Sequence, residues 1–212
     1  MTELETILRA YAETFPKSPR KAENTYGYVL RKGKPAESST PLTDEQMDYL
    51  LELAGCEDME AKQCYYNASV LLLRDFGAKR LKYYEGYMLL EGLTFPILHA
   101  WLELDGKLVD VTLQRLDSED RLEDLSDRVL GVIPPHLQYY GVPIDSQLLL
   151  DNLLEKEVSF SIIDNYEDFR VLSVHRAAYK SLKSLVEVLY QREKVKPGHI
   201  RSKVKHLEKL KP

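Results

Sequence analysis

The chain has 212 residues, enough for one domain with additions or for two small ones, and its 44% hydrophobic and 30% charged residues are typical of folded soluble proteins. No stretch approaches the roughly 20 apolar residues that span a bilayer, and the acidic start Met1–Glu5 is unlike a signal peptide, so a cytoplasmic protein with no membrane partner is predicted. Two cysteines, Cys56 and Cys64, are too few for a disulfide framework, although a single bridge between them is the alternative, and without a zinc spacing no metal is predicted.

The N-terminal part is predicted to be mostly helical. Apolar residues at helical spacing predict a helix over 3–15, and the polar stretch that follows predicts a loop with a short strand at Tyr26–Leu30. Thr43 and Gln46 have the spacing of a capping box, which predicts a second helix that ends at Gly55.

The central part is predicted to begin with a helix and a strand. The helix starts at Gln63 or Cys64 and ends at Gly77. The stretch 81–90, rich in Tyr, Met and Leu, predicts a strand that Gly86 interrupts.

A hairpin follows, and its geometry predicts a pair of functional side chains. Asp105-Gly106 between two apolar stretches is typical of a two-residue turn joining strands over Ile97–Leu104 and Lys107–Leu113. In that register His99 and Asp110 are diagonal neighbours on one face, roughly 7–8 Å apart at the backbone. An imidazole and a carboxylate can hydrogen-bond across this distance, as a general base and its orienting group do. The opposite face is apolar and is predicted to face the core: Ala100, Leu102, Leu104, Val109, Val111 and Leu113.

The remaining elements are a surface loop, two strands and two helices. In chain order, the loop is predicted at 114–130, a strand at 138–144, a helix at 145–157, a second strand at 158–163 and a second helix at 168–194.

The C-terminal segment 170–212 is basic, with 12 Lys and Arg against 3 Asp and Glu, in a chain whose net charge is −5. Three roles are open for it. It can pack on the rest of the chain, which is acidic, through an apolar stripe that includes Leu182 and Val186. It can instead contact nucleic-acid phosphates or bind a protein partner.

Cys64 is the predicted nucleophile. At a helix N-terminus the backbone N–H groups and the helix dipole favour a thiolate, and the same N–H groups can receive an oxyanion. Gln63, Asn67 and Trp101 are the candidates for oxyanion or substrate contacts. Each has a structural alternative: Gln63 can be a solvated helix start, Asn67 can order the local structure, and Trp101 can be a packing residue. For Cys64 the alternative is a buried apolar residue, which a lone cysteine more often is. His136 is the fallback base.

These motifs resemble the transglutaminase-like branch of the papain-like cysteine enzymes, in its small bacterial and phage members. The resembling segments are Gln63-Cys64-Tyr65-Tyr66, Tyr83-Tyr84-Glu85-Gly86-Tyr87, His99-Ala100-Trp101, Val109-Asp110-Val111-Thr112 and Tyr139-Tyr140-Gly141-Val142-Pro143. The family more often has proline where this chain has Val111. The resemblance covers about residues 60–145.

The resemblance implies an α+β fold in which a nucleophile helix packs on an antiparallel sheet. The predicted division is a helical addition at 1–55, a transglutaminase-like core at 56–165 and a basic helical segment at 166–212. The implied activity is thiol chemistry on an amide or ester of a protein or peptide substrate through Cys64, His99 and Asp110, which requires no cofactor. Hydrolysis, deamidation and acyl transfer stay open.

A non-catalytic binding or inhibitor module on the same fold is the alternative function. It would act on a protein or nucleic-acid partner through the basic segment.

Overall fold

A computed structural model describes residues 1–16, 23–54, 63–112, 128–156, 161–164 and 182–188. The helices are α1 (Glu3–Thr14), α2 (Thr25–Lys32), α3 (Asp44–Ala54), α4 (Cys64–Arg74) and α5 (Ser146–Lys156), and residues 182–188 are also helical. The strands are β1 (Lys34–Pro35), β2 (Leu81–Leu90), β3 (Ile97–Leu104), β4 (Lys107–Asp110), β5 (Val129–Leu130) and β6 (Leu137–Ile144). The helices found in these ranges are all too short or too polar to cross a membrane.

The strands form one antiparallel sheet in the order β1-β6-β2-β3-β4-β5. Its centre is β2, which pairs with β3 on one side and with β6 on the other. Helices and antiparallel strands therefore share one fold of the α+β class, as predicted.

Each face of the sheet packs on a different apolar cluster. The larger core is formed by buried side chains of the helices and by the face of the hairpin that was predicted to be buried, including Ala100, Leu102 and Val109. It also contains Leu182 and Val186, so the described part of the C-terminal segment packs on the body through its apolar stripe. The opposite face carries a smaller cluster, whose buried members are Tyr84, Met88, Trp101, Leu108, Val129, Leu137 and Tyr139.

The capping box of α3 is confirmed. The backbone N–H of Thr43 donates to Gln46 Oε1 at 3.1 Å, and the N–H of Gln46 donates to Thr43 Oγ1 at 3.3 Å. Two orphan donors at the helix start are satisfied in this reciprocal way.

The strand predicted at Tyr26–Leu30 is wrong, because α2 occupies these residues. Asn24 caps this helix by accepting from the N–H of Gly27 at 2.9 Å, and the Tyr26 ring stacks on Tyr87 at 4.8 Å between centroids. The cap and the ring stacking stabilise the helix over any local preference for a strand.

Two further predictions are wrong. Gly86 does not interrupt β2, which pairs on both sides at this position, opposite His99 and Gly141. The turn at 161–164 contains the described part of the strand predicted at 158–163. Its backbone N–H groups at Ile162 and Ile163 donate to a side chain instead of a neighbouring strand.

Several predicted features lie outside the described residues. These are Cys56, most of the acidic loop at 114–130, residues 158–160 of the strand predicted at 158–163, and the C-terminal segment at 168–181 and beyond 188.

Candidate functional site

The hairpin has the predicted register. Leu104 pairs with Lys107 and Leu102 with Val109, across a turn in which Asp105 and Gly106 both have positive φ, at 50° and 85°. This is the type of turn that two-residue hairpins favour, and it fixes which side chains meet on each face.

His99 and Asp110 meet on one face of the hairpin, as predicted from the sequence. His99 Nε2 lies 2.6 Å from Asp110 Oδ2, and both residues are buried, at 5% and 1% exposure. Burial in a low-dielectric environment makes such a charge-assisted contact strong, provided that its other polar atoms are also satisfied.

Two further hydrogen bonds to Asp110 favour its charged form. Its Oδ1 accepts from the backbone N–H of Thr112 at 3.0 Å, and its Oδ2 accepts from the hydroxyl of Tyr139 at 2.9 Å. Burial raises the pKa of Asp110, but the charge of His99 and the hydrogen bonds from His99, Thr112 and Tyr139 outweigh it, and the pKa is lowered. Asp110 is therefore a carboxylate at neutral pH.

His99 is bound from two sides. Burial lowers its pKa, but the charges of Asp110 and Cys64 and hydrogen bonds to both side chains outweigh burial and raise the pKa well above its usual value. Asp110 occupies Nε2, so Nδ1 is the ring nitrogen left for Cys64. The imidazole thus links the carboxylate to the thiol.

Cys64 is the first residue of α4, where the sequence predicted it, and it is buried, at 7% exposure. The helix start is tied to the end of β4 by Asn67, whose Nδ2 donates to Thr112 Oγ1 at 2.9 Å. Because Thr112 also donates its N–H to Asp110, one short segment holds both the helix and the carboxylate.

The predicted substrate contacts differ in their placement. Gln63 is the half-buried N-cap residue of α4 and makes no side-chain capping hydrogen bond. Asn67 is fully buried, with the structural contact to Thr112. Trp101 is 2% exposed and packs within the smaller apolar cluster, so packing dominates its environment.

Aromatic rings form a wall along the His99 face. Trp101 stacks on Tyr84 with centroids 5.9 Å apart and on His99 at 6.4 Å, and Tyr139 meets Trp101 edge-on at 5.3 Å. This wall excludes water from the His99–Asp110 contact, which strengthens it.

Gly141 makes room for the wall. A Cβ at this position would lie 2.3 Å from a Trp101 ring carbon and 2.8 Å from the backbone oxygen of Glu85. We expect Gly141→Ala to displace the Trp101 ring and to lower the free energy of unfolding by about 1–3 kcal/mol, as overpacked cores do. Tryptophan fluorescence reports the displacement of the ring, because Trp101 is the only tryptophan in the chain. Urea unfolding measures the loss of stability.

Gly77→Ala is the matched control, because a Cβ there would have nothing within 4 Å. An unchanged emission spectrum in Gly141→Ala would contradict the close packing of Gly141 and Trp101.

A cavity of about 420 Å³ lies further along the same face of the hairpin. The cavity is lined by Trp101, Tyr84 and Glu103, together with residues of β1 and of the stretch after it, such as Lys34 and Glu37. Trp101 therefore lies between His99 and this cavity.

Tyr139 is the site residue that sequence reasoning missed. It lies 29 residues after Asp110, on a strand whose place in the sheet no local pattern indicates. The segment Tyr139–Pro143 of the family resemblance contains Tyr139 but assigns it no role.

The fallback base His136 lies exposed in the turn before β6. Within the ranges that the structure describes, no three His, Cys, Asp or Glu side chains are grouped so that they could hold a metal ion. Comparison with protein-family models, with curated proteins and with solved structures finds no match to this chain.

Proposed function

We propose that this protein is a cysteine-dependent hydrolase or acyltransferase of the transglutaminase-like, papain-like type, acting on an amide or ester of a protein or peptide. The observation that carries the proposal is the buried chain of contacts from Cys64 through His99 to Asp110, with 2.6 Å between His99 Nε2 and Asp110 Oδ2. A nucleophile, a base and an orienting carboxylate in this order are what acyl transfer requires.

The first half-reaction forms a thioester. The Cys64 thiolate attacks the carbonyl carbon, so that the new S–C bond forms and the oxygen takes up negative charge near the N-terminus of α4. The carbonyl then reforms, the C–N or C–O bond breaks, and His99 Nδ1 gives the proton that came from Cys64 to the leaving amine or alcohol. Asp110 keeps the second proton on Nε2 and stabilises the imidazolium.

The second half-reaction releases the acyl group. His99 Nδ1, now neutral, takes a proton from water or from an amine as it attacks the thioester carbon. The S–C bond breaks, the carboxylic acid or new amide leaves, and the proton on His99 restores the thiolate–imidazolium pair. The chain's residues complete this cycle without a cofactor.

The test is the rate at which iodoacetamide alkylates Cys64 between pH 5 and pH 9. In a Cys56→Ser background the chain has a single thiol, so intact mass reports Cys64 alone. We expect a rate plateau that extends below pH 6, because the imidazolium of His99 stabilises the thiolate. His99→Ala is expected to lower the rate at pH 6 roughly tenfold to 100-fold, since an ordinary thiol is almost wholly protonated there while its thiolate is intrinsically more nucleophilic.

His136→Ala is the matched control, because it removes an exposed imidazole and is expected to keep the plateau. A parent rate that rises with pH like a free thiol, and that His99→Ala leaves unchanged, would contradict the catalytic proposal and favour the binding-module alternative.

A further inference from the structure

The hydroxyl of Tyr139 reaches the candidate triad from a distant strand. Two strands, β2 and β3, lie between β6 and β4 in the sheet, yet Tyr139 Oη lies 2.9 Å from Asp110 Oδ2. On this face β2 and β6 place Gly86 opposite Gly141, so no side chain of that pair stands in the way. Tyr139 is itself 2% exposed and packs edge-on against Trp101.

The direction of this hydrogen bond is determined by its partners. Burial raises the pKa of Tyr139 well above its usual value, and the charge of Asp110 raises it further, so the hydroxyl keeps its proton. An ionised carboxylate only accepts, and Tyr139 therefore donates. Asp110 Oδ2 thus accepts from Tyr139 and also faces His99 Nε2, while Oδ1 accepts from the N–H of Thr112.

The proton in the 2.6 Å contact has two places to reside. Burial favours the neutral pair, with the proton on Asp110, whereas each hydrogen bond donated to Asp110 favours the ion pair, with the proton on His99 Nε2. In the neutral pair the remaining ring proton would lie on Nδ1, which faces Cys64. His99 would then neither carry the charge that stabilises a thiolate nor accept a proton from a thiol.

We infer that Tyr139 is a positioning residue of this site: its hydroxyl holds the negative charge on Asp110, which keeps the shared proton on His99 Nε2 and leaves Nδ1 to exchange protons with Cys64. This inference rests on the proposed thiol chemistry for its consequence. The proton position itself is independent of that chemistry.

Tyr139→Phe removes the hydroxyl and keeps the ring of the aromatic wall. In the Cys56→Ser background we expect the alkylation rate of Cys64 at pH 6 to fall about tenfold, the worth of one hydrogen bond to a charged group. In nitrogen-15 NMR, the chemical shift of His99 Nε2 is expected to move from the range of a protonated ring nitrogen towards that of an unprotonated one. Urea unfolding is expected to show a folded protein.

Tyr84→Phe is the matched control, because its hydroxyl donates to a different carboxylate, Glu103, at 3.0 Å and its ring stacks on the same tryptophan. It is expected to change neither the alkylation rate nor the His99 spectrum.

The outcomes separate the two proposals. A parent plateau with an unchanged rate and unchanged Nε2 signal in Tyr139→Phe would overturn the role of Tyr139 and leave the proposed function standing. A parent without the plateau would overturn the proposed function, and the Nε2 signal would still decide whether Tyr139 holds the proton in place. A rate loss of equal size in Tyr84→Phe would also overturn the specific role of Tyr139.

Discussion

Asp110→Asn is expected to lower the rate of thioester formation at Cys64 by about 10³- to 10⁴-fold, the size of effect seen when a triad carboxylate becomes an amide. Because Oδ1 still accepts the N–H of Thr112, the new amide nitrogen would face His99 Nε2 and force it to accept a hydrogen bond. The ring proton then moves to Nδ1, where it blocks base catalysis. The measurement is single-turnover release of p-nitrophenol from p-nitrophenyl acetate, with the acetyl thioester confirmed by intact mass.

Asp105→Asn provides the matched control for Asp110→Asn. Asp105 lies in the hairpin turn, where its carboxylate binds Arg80 and Gln46, and asparagine tolerates the same positive φ. Its rate is expected to match the parent rate. If Asp110→Asn reacted like the parent while Cys64→Ser did not react, His99 would not depend on Asp110 for its tautomer.

The second large effect concerns the pH dependence of stability and arises at Glu85. This side chain is fully buried on β2 and accepts from Tyr83 Oη at 3.1 Å, Ser161 Oγ at 2.9 Å, and the N–H groups of Ile162 and Ile163 at 2.7 and 3.1 Å. Burial raises its pKa to about 7, and the four hydrogen bonds limit that rise. The carboxyl group thus anchors the 161–164 turn to the centre of the sheet.

The sign of the effect follows from that raised pKa. The folded-state pKa, about 7, lies above the usual value of 4.5, so the stabilisation is complete below about pH 4.5 and is lost as the pH rises through about 7. Relative to Glu85→Gln, which cannot ionise, the parent is expected to lose about 3 kcal/mol of unfolding free energy between pH 4.5 and pH 8. Urea unfolding of both proteins at several pH values gives this difference directly.

Glu103→Gln is the control with the opposite sign. Burial raises the pKa of Glu103, but hydrogen bonds from Lys82 and Tyr84 and the charge of Lys82 outweigh it, and the pKa is lowered. Its contribution is present above pH 4.5 and is lost as the pH falls. A parent-minus-Glu85→Gln difference that stays flat from pH 4.5 to pH 8 would show that Glu85 is not held neutral by burial.

The parts of this site that were predictable from sequence depend on local chemistry. Asp105 and Gly106 determine a turn, the turn determines the register, and the register brings His99 to Asp110. The capping box at Thr43 likewise acts over one helical turn.

The parts that were not predictable depend on contacts between distant segments. Tyr139 reaches Asp110 only because β6 pairs with β2, and Glu85 receives three of its four hydrogen bonds from residues 76–78 positions downstream. Asn24 ends up capping α2 while its Nδ2 also donates to the backbone oxygens of Ala12 and Phe15, a set of contacts that no spacing rule contains. Local propensity does not predict such pairings, because they form only once the order of the strands in the sheet is established.

The two outermost strands of the sheet, β1 and β5, each have only two residues, and one of them contains Pro35. An exposed strand edge is a template on which another chain can add, and a short edge bearing a proline offers few unpaired N–H groups to such a chain. The outermost strands thus offer another chain little backbone to pair with, which is one way in which natural sheets limit edge-to-edge aggregation.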